Sequence, residues 1–384
     1  MRLLLTTQDF PPDVGGTQTY AAEIVAGLVD AGHDITVVCP DRPGAAASDA
    51  SRRCRVVRVA ASFDAFPFKA FMTVRRLLSS GAFDGAYAVS WSAVVPFWLA
   101  ARTGRRIPVA LAVHGRELLL EPMRTRLASW AYNTMRRNMV RHARLLLPVS
   151  RYTASLLEPF GVPSDRVHVV NNGTNPNAFS PTDGTRIRRE LDLDDRPVLL
   201  SVCRLVGRKG VDTVLKALPA VLAHRPDIMY VVAGEGPEAG DLKSLAGALG
   251  VQDNVRFVGR IPYADLPAYY SAASMFVLPA RQAEPDVEGF GIVFLEANAC
   301  GTPVIGARAG GVPDAIVDGE TGLLVPPDDP EALARAVMEL LDNPDRARTM
   351  GTAGRKRVEA DLNWSAVSRR IAHLLETHVK PPRS

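Results

Sequence analysis

Short apolar runs recur along this 384-residue chain, separated by stretches whose apolar positions follow helical spacing. The first run, Leu3 to Thr7, leads through Gly15-Gly16 into a helical pattern from Thr17 to Ala31. A β-branched run follows at Ile35 to Cys39, with further runs at Arg55 to Val59, Gly85 to Val89, Val109 to Val113 and Leu145 to Val149. In the second half they return at Pro197 to Cys203, Met229 to Ala233, Val255 to Val258, Met275 to Leu278 and Pro303 to Gly306. Runs this short read as strands, and strands alternating with helices imply parallel sheets covered on both faces. Two such series predict an α/β protein of two Rossmann-like domains facing a central cleft. The turn-rich stretch from Asn171 to Gly184, N-N-G-T-N-P-N-A-F-S-P-T-D-G, is the natural break. The expected division is residues 1–174, residues 175–364 and a C-terminal helix over 365–384. Open parallel sheets bind ligands beyond the carboxyl ends of their strands, so the loops after each run are where chemistry is expected.

Composition changes this picture little. Apolar content of 47% with 22% charged residues is that of an ordinary soluble globular protein, and the length allows two domains with separate cores. The four cysteines, Cys39, Cys54, Cys203 and Cys300, have no C-x-x-C or paired spacing, which argues for reduced thiols in a cytosolic setting. The apolar run after Met1 is too short for a signal peptide, and no stretch of about 20 apolar residues is present to span a membrane.

Charge adds one local feature. Between Pro122 and Arg144 stand six arginines, at 124, 126, 136, 137, 141 and 144, with no Asp or Glu, interleaved with Trp130, Tyr132, Met135 and Met139. Such a segment is either a solvated helix face or a surface drawn to anionic lipid or to an anionic acceptor. No nucleic-acid module accompanies it, so nucleic acid is not an expected partner.

The richest stretch runs V-E-G-F-G-I-V-F-L-E-A-N-A-C-G-T-P-V-I from Val287 to Ile305. Its glycines set Glu288 in a tight loop and expose backbone N–H groups at the mouth of a helix starting near Ile292. A helix start of this kind is an anion site. Glu288 before it and Glu296 within it can accept hydrogen bonds from hydroxyls. The arrangement suits a diphosphate held by backbone with a polyol at either end. Three other loops carry fitting residues. Gly15-Gly16 opens the first helix without forming G-x-G-x-x-G, which disfavours a dinucleotide. His114, in A-V-H-G-R-E, follows a strand. Arg204 and Lys209, in R-L-V-G-R-K-G, combine a forked donor with a compact charge, a pair suited to a diphosphate.

Glu-x7-Glu enclosing G-F-G-I, followed by A-C-G-T-P-V-I and G-G-V-P-D, resembles the signature of family 4 retaining glycosyltransferases, which have the GT-B fold. The resemblance covers nearly the whole chain. F-P-P-D-V-G-G-T-Q-T-Y, R-L-V-G-R-K-G, P-A-R and D-V-E-G-F-G-I-V-F-L-E are most similar to the phosphatidylinositol mannosyltransferase branch. Two places depart from it. His114-Gly115-Arg116-Glu117 stands for His-Gly-His-Glu, and Asn172-Gly173-Thr174-Asn175 for Asn-Gly-Val-Asp. Both lie in or near the acceptor half, so the acceptor stays open.

The resemblance implies an acceptor-binding first domain, a donor-binding second domain and a final helix crossing back to the first. Arg204 and Lys209 would clamp the leaving diphosphate with the N–H groups around Phe290, Gly291 and Ile292, while Arg208 stands by. Glu288 would orient the sugar hydroxyls and Glu296 the ribose. His114 would meet the donor sugar, and Gly16 would lie beside the donor phosphates. Gly234, Arg260 and the backbone of Ile261 would line the base and ribose. Gln18 and Tyr20 would face the acceptor. The expected substrates are a nucleoside diphosphate sugar, GDP-mannose before a UDP-sugar, and a hydroxyl acceptor, either a glycolipid or a small-molecule glycoside. No cofactor is implied, and no Asp-x-Asp site stands in the predicted loops, so metal independence is expected. A UDP-dependent glucosyl- or N-acetylglucosaminyltransferase and a sugar-nucleotide epimerase of the same fold are the alternatives.

Overall fold

The computed structural model describes residues 1–13, 15–119, 125–282 and 287–379. Val14, Arg124 and Asp286, which belong to segments singled out above, lie outside the described residues. The chain forms two compact units. One is Met1–Asn172 together with the segment from Trp364, and the other is Gly173–Asn363.

The first unit holds β1 (Arg2–Thr6), β2 (Asp34–Pro40), β3 (Arg55–Val59), β4 (Gly85–Ala88), β5 (Val109–Val113) and β6 (Leu145–Pro148). They pair in parallel in the order β3-β2-β1-β4-β5-β6. The second holds β7 (Val198–Val202), β8 (Met229–Ala233), β9 (Val255–Gly259), β10 (Met275–Leu278), β11 (Val304–Ala307) and β12 (Gly322–Val325). Their order is β12-β11-β10-β7-β8-β9, again parallel. In each unit the first strand is central and the winding reverses beside it, which is the Rossmann arrangement. All eleven expected strands are present, with ends shifted by one or two residues. β12 was not expected.

The inner strands read as continuous apolar runs because both faces of each sheet are covered there. β4, β5 and β8 are buried along their full length. The helix Gly16–Asp30 turns Tyr20, Ala21, Ile24, Val25 and Leu28 inward, the spacing expected of a helix covering a sheet. Its other neighbour is the C-terminal helix Trp364–His378. Gly27 allows their close approach, since a Cβ there would lie 2.1 Å from the Ser368 hydroxyl. The rings of Tyr20 and Trp364 meet edge to face at 6.0 Å.

The arginine-rich segment forms the helix Arg126–His142. It is not one solvated cationic face. Arg136 is buried, donating to the Leu119 carbonyl at 2.8 Å and to Asn133 at 2.8 Å. Arg141 donates to the Phe160 carbonyl at 2.7 Å. Met139 lies in the core, while Leu127 and Trp130 are 73% and 65% exposed.

Candidate active site

Two loops of the second unit flank the point where its sheet reverses. One follows β7 and the other follows β10. After β7, a single tight turn at Gly207–Lys209 carries Arg208 and Lys209. Gly210 closes that turn at φ 71°, and a Cβ on it would sit 2.2 Å from the Pro279 carbonyl oxygen. The turn therefore lies against the loop leaving β10. Arg281 braces it there, with its backbone N–H on the Arg208 carbonyl at 2.8 Å and its side chain on Asp212 at 2.7 Å.

Glu288 lies within reach of both cations. Arg208 donates to Glu288 Oε2 at 3.0 Å, and Lys209 Nζ donates to the same oxygen. The side chains of Glu288 and Lys209 are only 15% and 11% exposed. Burial alone would raise the Glu288 carboxyl, but Lys209 and then Arg208 outweigh it and hold it below the usual glutamate range. The backbone of Glu288 is fixed as well. Its carbonyl accepts the Gly311 N–H at 2.8 Å, and Gly310, at φ 53°, leaves no room for a side chain beside it. The G-G-V-P-D segment thus serves as the clasp for this glutamate.

Three residues on, Gly291 adopts φ 95° and the helix Ile292–Ala299 begins, with no side chain capping it. Its first N–H groups are therefore available to an anion. Glu296 lies one turn inside that helix and accepts the Tyr270 hydroxyl at 2.8 Å. Burial pushes its carboxyl up to about 7, against a smaller opposing effect of that hydrogen bond. One stretch of chain therefore presents an ionised carboxylate, an open helix start and a carboxyl balanced near neutrality.

The remaining loops of this unit are laced to the same end of the sheet. Gly234 donates to the Gly259 carbonyl at 2.7 Å, and Leu205 donates to the Glu235 carbonyl at 2.9 Å. Arg260 is exposed and Ile261 half-buried beyond them. Arg204 is exposed too, and among the described residues no hydrogen bond or ion pair engages its guanidinium. The expectation that Arg208 stands by is corrected. It shares Glu288 with Lys209.

The first unit gathers its candidates around the carboxyl ends of β1 and β5. Gly15 is the uncapped start of the helix Gly16–Asp30, and open space lies where a Gly16 side chain would be. Gln18 donates to Asp9 at 2.7 Å. His114 follows β5, its backbone N–H donating to Glu117 at 2.5 Å. The His114 Nε2 is buried and has no hydrogen-bond partner among the described residues. Tyr20 lies in the core of the unit. It is 2% exposed, its hydroxyl bonds the Tyr87 hydroxyl at 2.6 Å, and its ring packs edge-on against His114 at 4.7 Å. Tyr20 thereby shapes the histidine's seat.

Asp9, Glu117, Tyr270 and the Gly310-Gly311 pair escaped the sequence reading as site residues. Asp9 carried a signal, since it follows the first apolar run directly. Tyr270 carried none, because its helix gives no hint that the hydroxyl reaches Glu296.

Comparison with known proteins agrees with this geometry. The family described as "Glycosyltransferase Family 4" matches residues 14–178, and "Glycosyl transferases group 1" matches residues 183–357. The GDP-mannose-dependent alpha-(1-6)-phosphatidylinositol monomannoside mannosyltransferase of Mycolicibacterium smegmatis is 36% identical over 97% of this chain and 98% of its own. Among solved structures, sucrose-phosphate synthase of Thermosynechococcus elongatus is 26% identical with a TM-score of 0.75, over 98% of each chain. Anabaena HepE in complex with UDP-glucose is 20% identical with a TM-score of 0.80, over 98% of this chain and 100% of that one. With likeness running through nearly the full length of both units, the chain belongs to the family 4 glycosyltransferases and has their GT-B fold.

Proposed function

We propose that this enzyme is a retaining α-mannosyltransferase that moves mannose from GDP-mannose to a hydroxyl of a phosphatidylinositol mannoside at a membrane surface. The observation that carries the reading is the Glu288 carboxylate, held ionised by Lys209 and Arg208 beside an open helix start. The remaining roles in this reading are as follows. The helix start and the free guanidinium of Arg204 receive the diphosphate and stabilise the charge that grows on it as the glycosidic bond breaks. Glu288 accepts hydrogen bonds from the sugar hydroxyls, and Glu296 from the ribose. Gly234, Arg260 and Ile261 line the nucleoside. Gly16 and His114 take donor roles in this reading, and Gln18 an acceptor role. Attack and departure on one face of the sugar let the leaving phosphate oxygen take the acceptor's proton, which retains the α configuration.

The mannosyl donor and the inositol-lipid acceptor are supported by the 36% identity to an enzyme named for both. The membrane surface is supported by the helix Arg126–His142. Its exposed Leu127 and Trp130 share a face with exposed Arg137 and Arg141, which suits an anionic lipid layer.

Two assays test this. Purified protein given GDP-mannose and vesicles containing phosphatidylinositol monomannoside should form a dimannosylated lipid and release GDP. Turnover with UDP-sugars alone, or with soluble glycosides alone, would overturn it. Replacing Leu127 and Trp130 by serine should weaken binding to anionic vesicles and spare GDP binding. Equal vesicle binding would remove the membrane face.

A further inference from the structure

The second unit holds a cavity of about 510 Å³ at the amino ends of β7, β10 and β11, the opposite end of the sheet from Glu288. Four arginines line it, Arg188, Arg196, Arg225 and Arg348, against one carboxylate, that of Asp195. Arg188 Nη1 donates to two backbone carbonyls at 3.0 Å each, neutral partners that leave its charge unbalanced. Among the described residues Arg225 and Arg348 pair with the solvent-exposed Asp227 and Asp345, at 3.4 and 3.2 Å, and such pairs hold weakly in water. Arg196 has none. Its Nε is buried, and no group among the described residues accepts from it. Guanidinium groups gathered around a concavity, one of them unpaired, match the forked geometry and charge of a phosphate group. The volume lies in the range of small-molecule sites.

The cavity also touches the scaffold of the catalytic site. Thr302, in its wall, donates to the Tyr270 carbonyl at 2.8 Å, and the Tyr270 hydroxyl donates to Glu296 at 2.8 Å. Thr302 follows the helix that carries Glu296. A ligand pressing on this wall therefore has a route of two hydrogen bonds to that carboxyl.

We propose that the arginine-lined cavity is a second ligand site for a small phosphate-bearing metabolite, and that its occupancy alters nucleotide affinity through Thr302, Tyr270 and Glu296. The site goes beyond the proposed function. The coupling rests on it, through the ribose role of Glu296.

Titration calorimetry of the full chain tests both halves, with glucose 6-phosphate, inorganic phosphate and glucose as probes and GDP occupying the donor site. Glucose 6-phosphate should bind at one site and glucose should not. Arg196→Ala or Arg225→Ala should weaken glucose 6-phosphate at least tenfold without changing GDP affinity measured alone. Failure of both phosphates to bind, displacement by GDP, or unchanged binding in both variants would overturn the site. If GDP fails to bind, the donor reading falls, while titration without GDP still reads the cavity. For the coupling, glucose 6-phosphate should change the GDP affinity several-fold and GDP should change its affinity by the same factor. Thr302→Val should erase that factor, and a GDP affinity indifferent to glucose 6-phosphate would overturn the coupling.

Discussion

Glu288 and Glu296 lie on one short stretch of chain, and their surroundings drive them in opposite directions. Two cations keep Glu288 charged despite its burial, whereas burial raises Glu296 to about 7 against the opposing hydrogen bond from the neutral Tyr270 phenol. Glu288→Ala leaves Lys209 and Arg208 without their counter-ion, so GDP affinity should hold or increase. Turnover should fall by about 10²–10³-fold or more, on the scale of losing one preorganised transition-state contact. Near-normal turnover would end the sugar-side assignment. Glu296 predicts a pH signature. A ribose donates its hydroxyls best to the ionised carboxylate, so GDP affinity should climb as pH rises through about 7. In Glu296→Gln the slope should vanish, and a parent-like slope would refute the assignment. Stability should move the other way. Between 4.5 and about 7 the folded chain keeps a proton that the unfolded chain has released, so this group's contribution declines as pH rises through that window.

Glycines decide whether the elements close around these residues. Gly234 sits at φ 133°, with a hypothetical Cβ 1.8 Å from the Cys203 carbonyl oxygen. Gly234→Ala should lower stability by about 1–3 kcal/mol from backbone strain, with the collision in addition. Gly240, in the helix Ala239–Ala248, has open space around it, and Gly240→Ala should be neutral or stabilising by up to about 1 kcal/mol. Urea unfolding of both variants checks the contrast, and equal midpoints would discard it. The same scale explains what could be read from sequence. Strands buried on both faces announce themselves as apolar runs, which is why β4, β5, β8 and β10 were legible, while the half-buried edge strands β3 and β9 showed as β-branched and aromatic runs broken by arginine. The run G-L-L-V of β12 is brief and trails the turn formers of D-G-E-T-G, so nothing set it apart. Glycines at Gly289 and Gly291 announced the helix start at Ile292. The pairing of Arg208 with Glu288 was not legible, because it depends on one tight turn rotating two adjacent cations to the same side. The burial of Tyr20 was not legible either, because sequence position near Gly16 says nothing about which face of the helix a hydroxyl occupies.

At the level of the molecule, two units with separate sheets and cores should unfold separately. Calorimetry should resolve two transitions, and GDP at 100 times its Kd should raise that of Gly173–Asn363 by about 2.7 kcal/mol. One transition, shifted as a whole, would show that the units melt as one. The first unit is also discontinuous in sequence, since its final helix, from Trp364, packs on Gly16–Asp30. On the ribosome that helix emerges only after all of Gly173–Asn363 has been made, roughly 10–40 s later at ~5–20 residues per second. Throughout that interval the groove around Gly27 and the ring of Tyr20 await their cover. The unit synthesised first is thus the one completed last, and a chain that ends at Asn363 has every residue of its second unit while the first still lacks a helix.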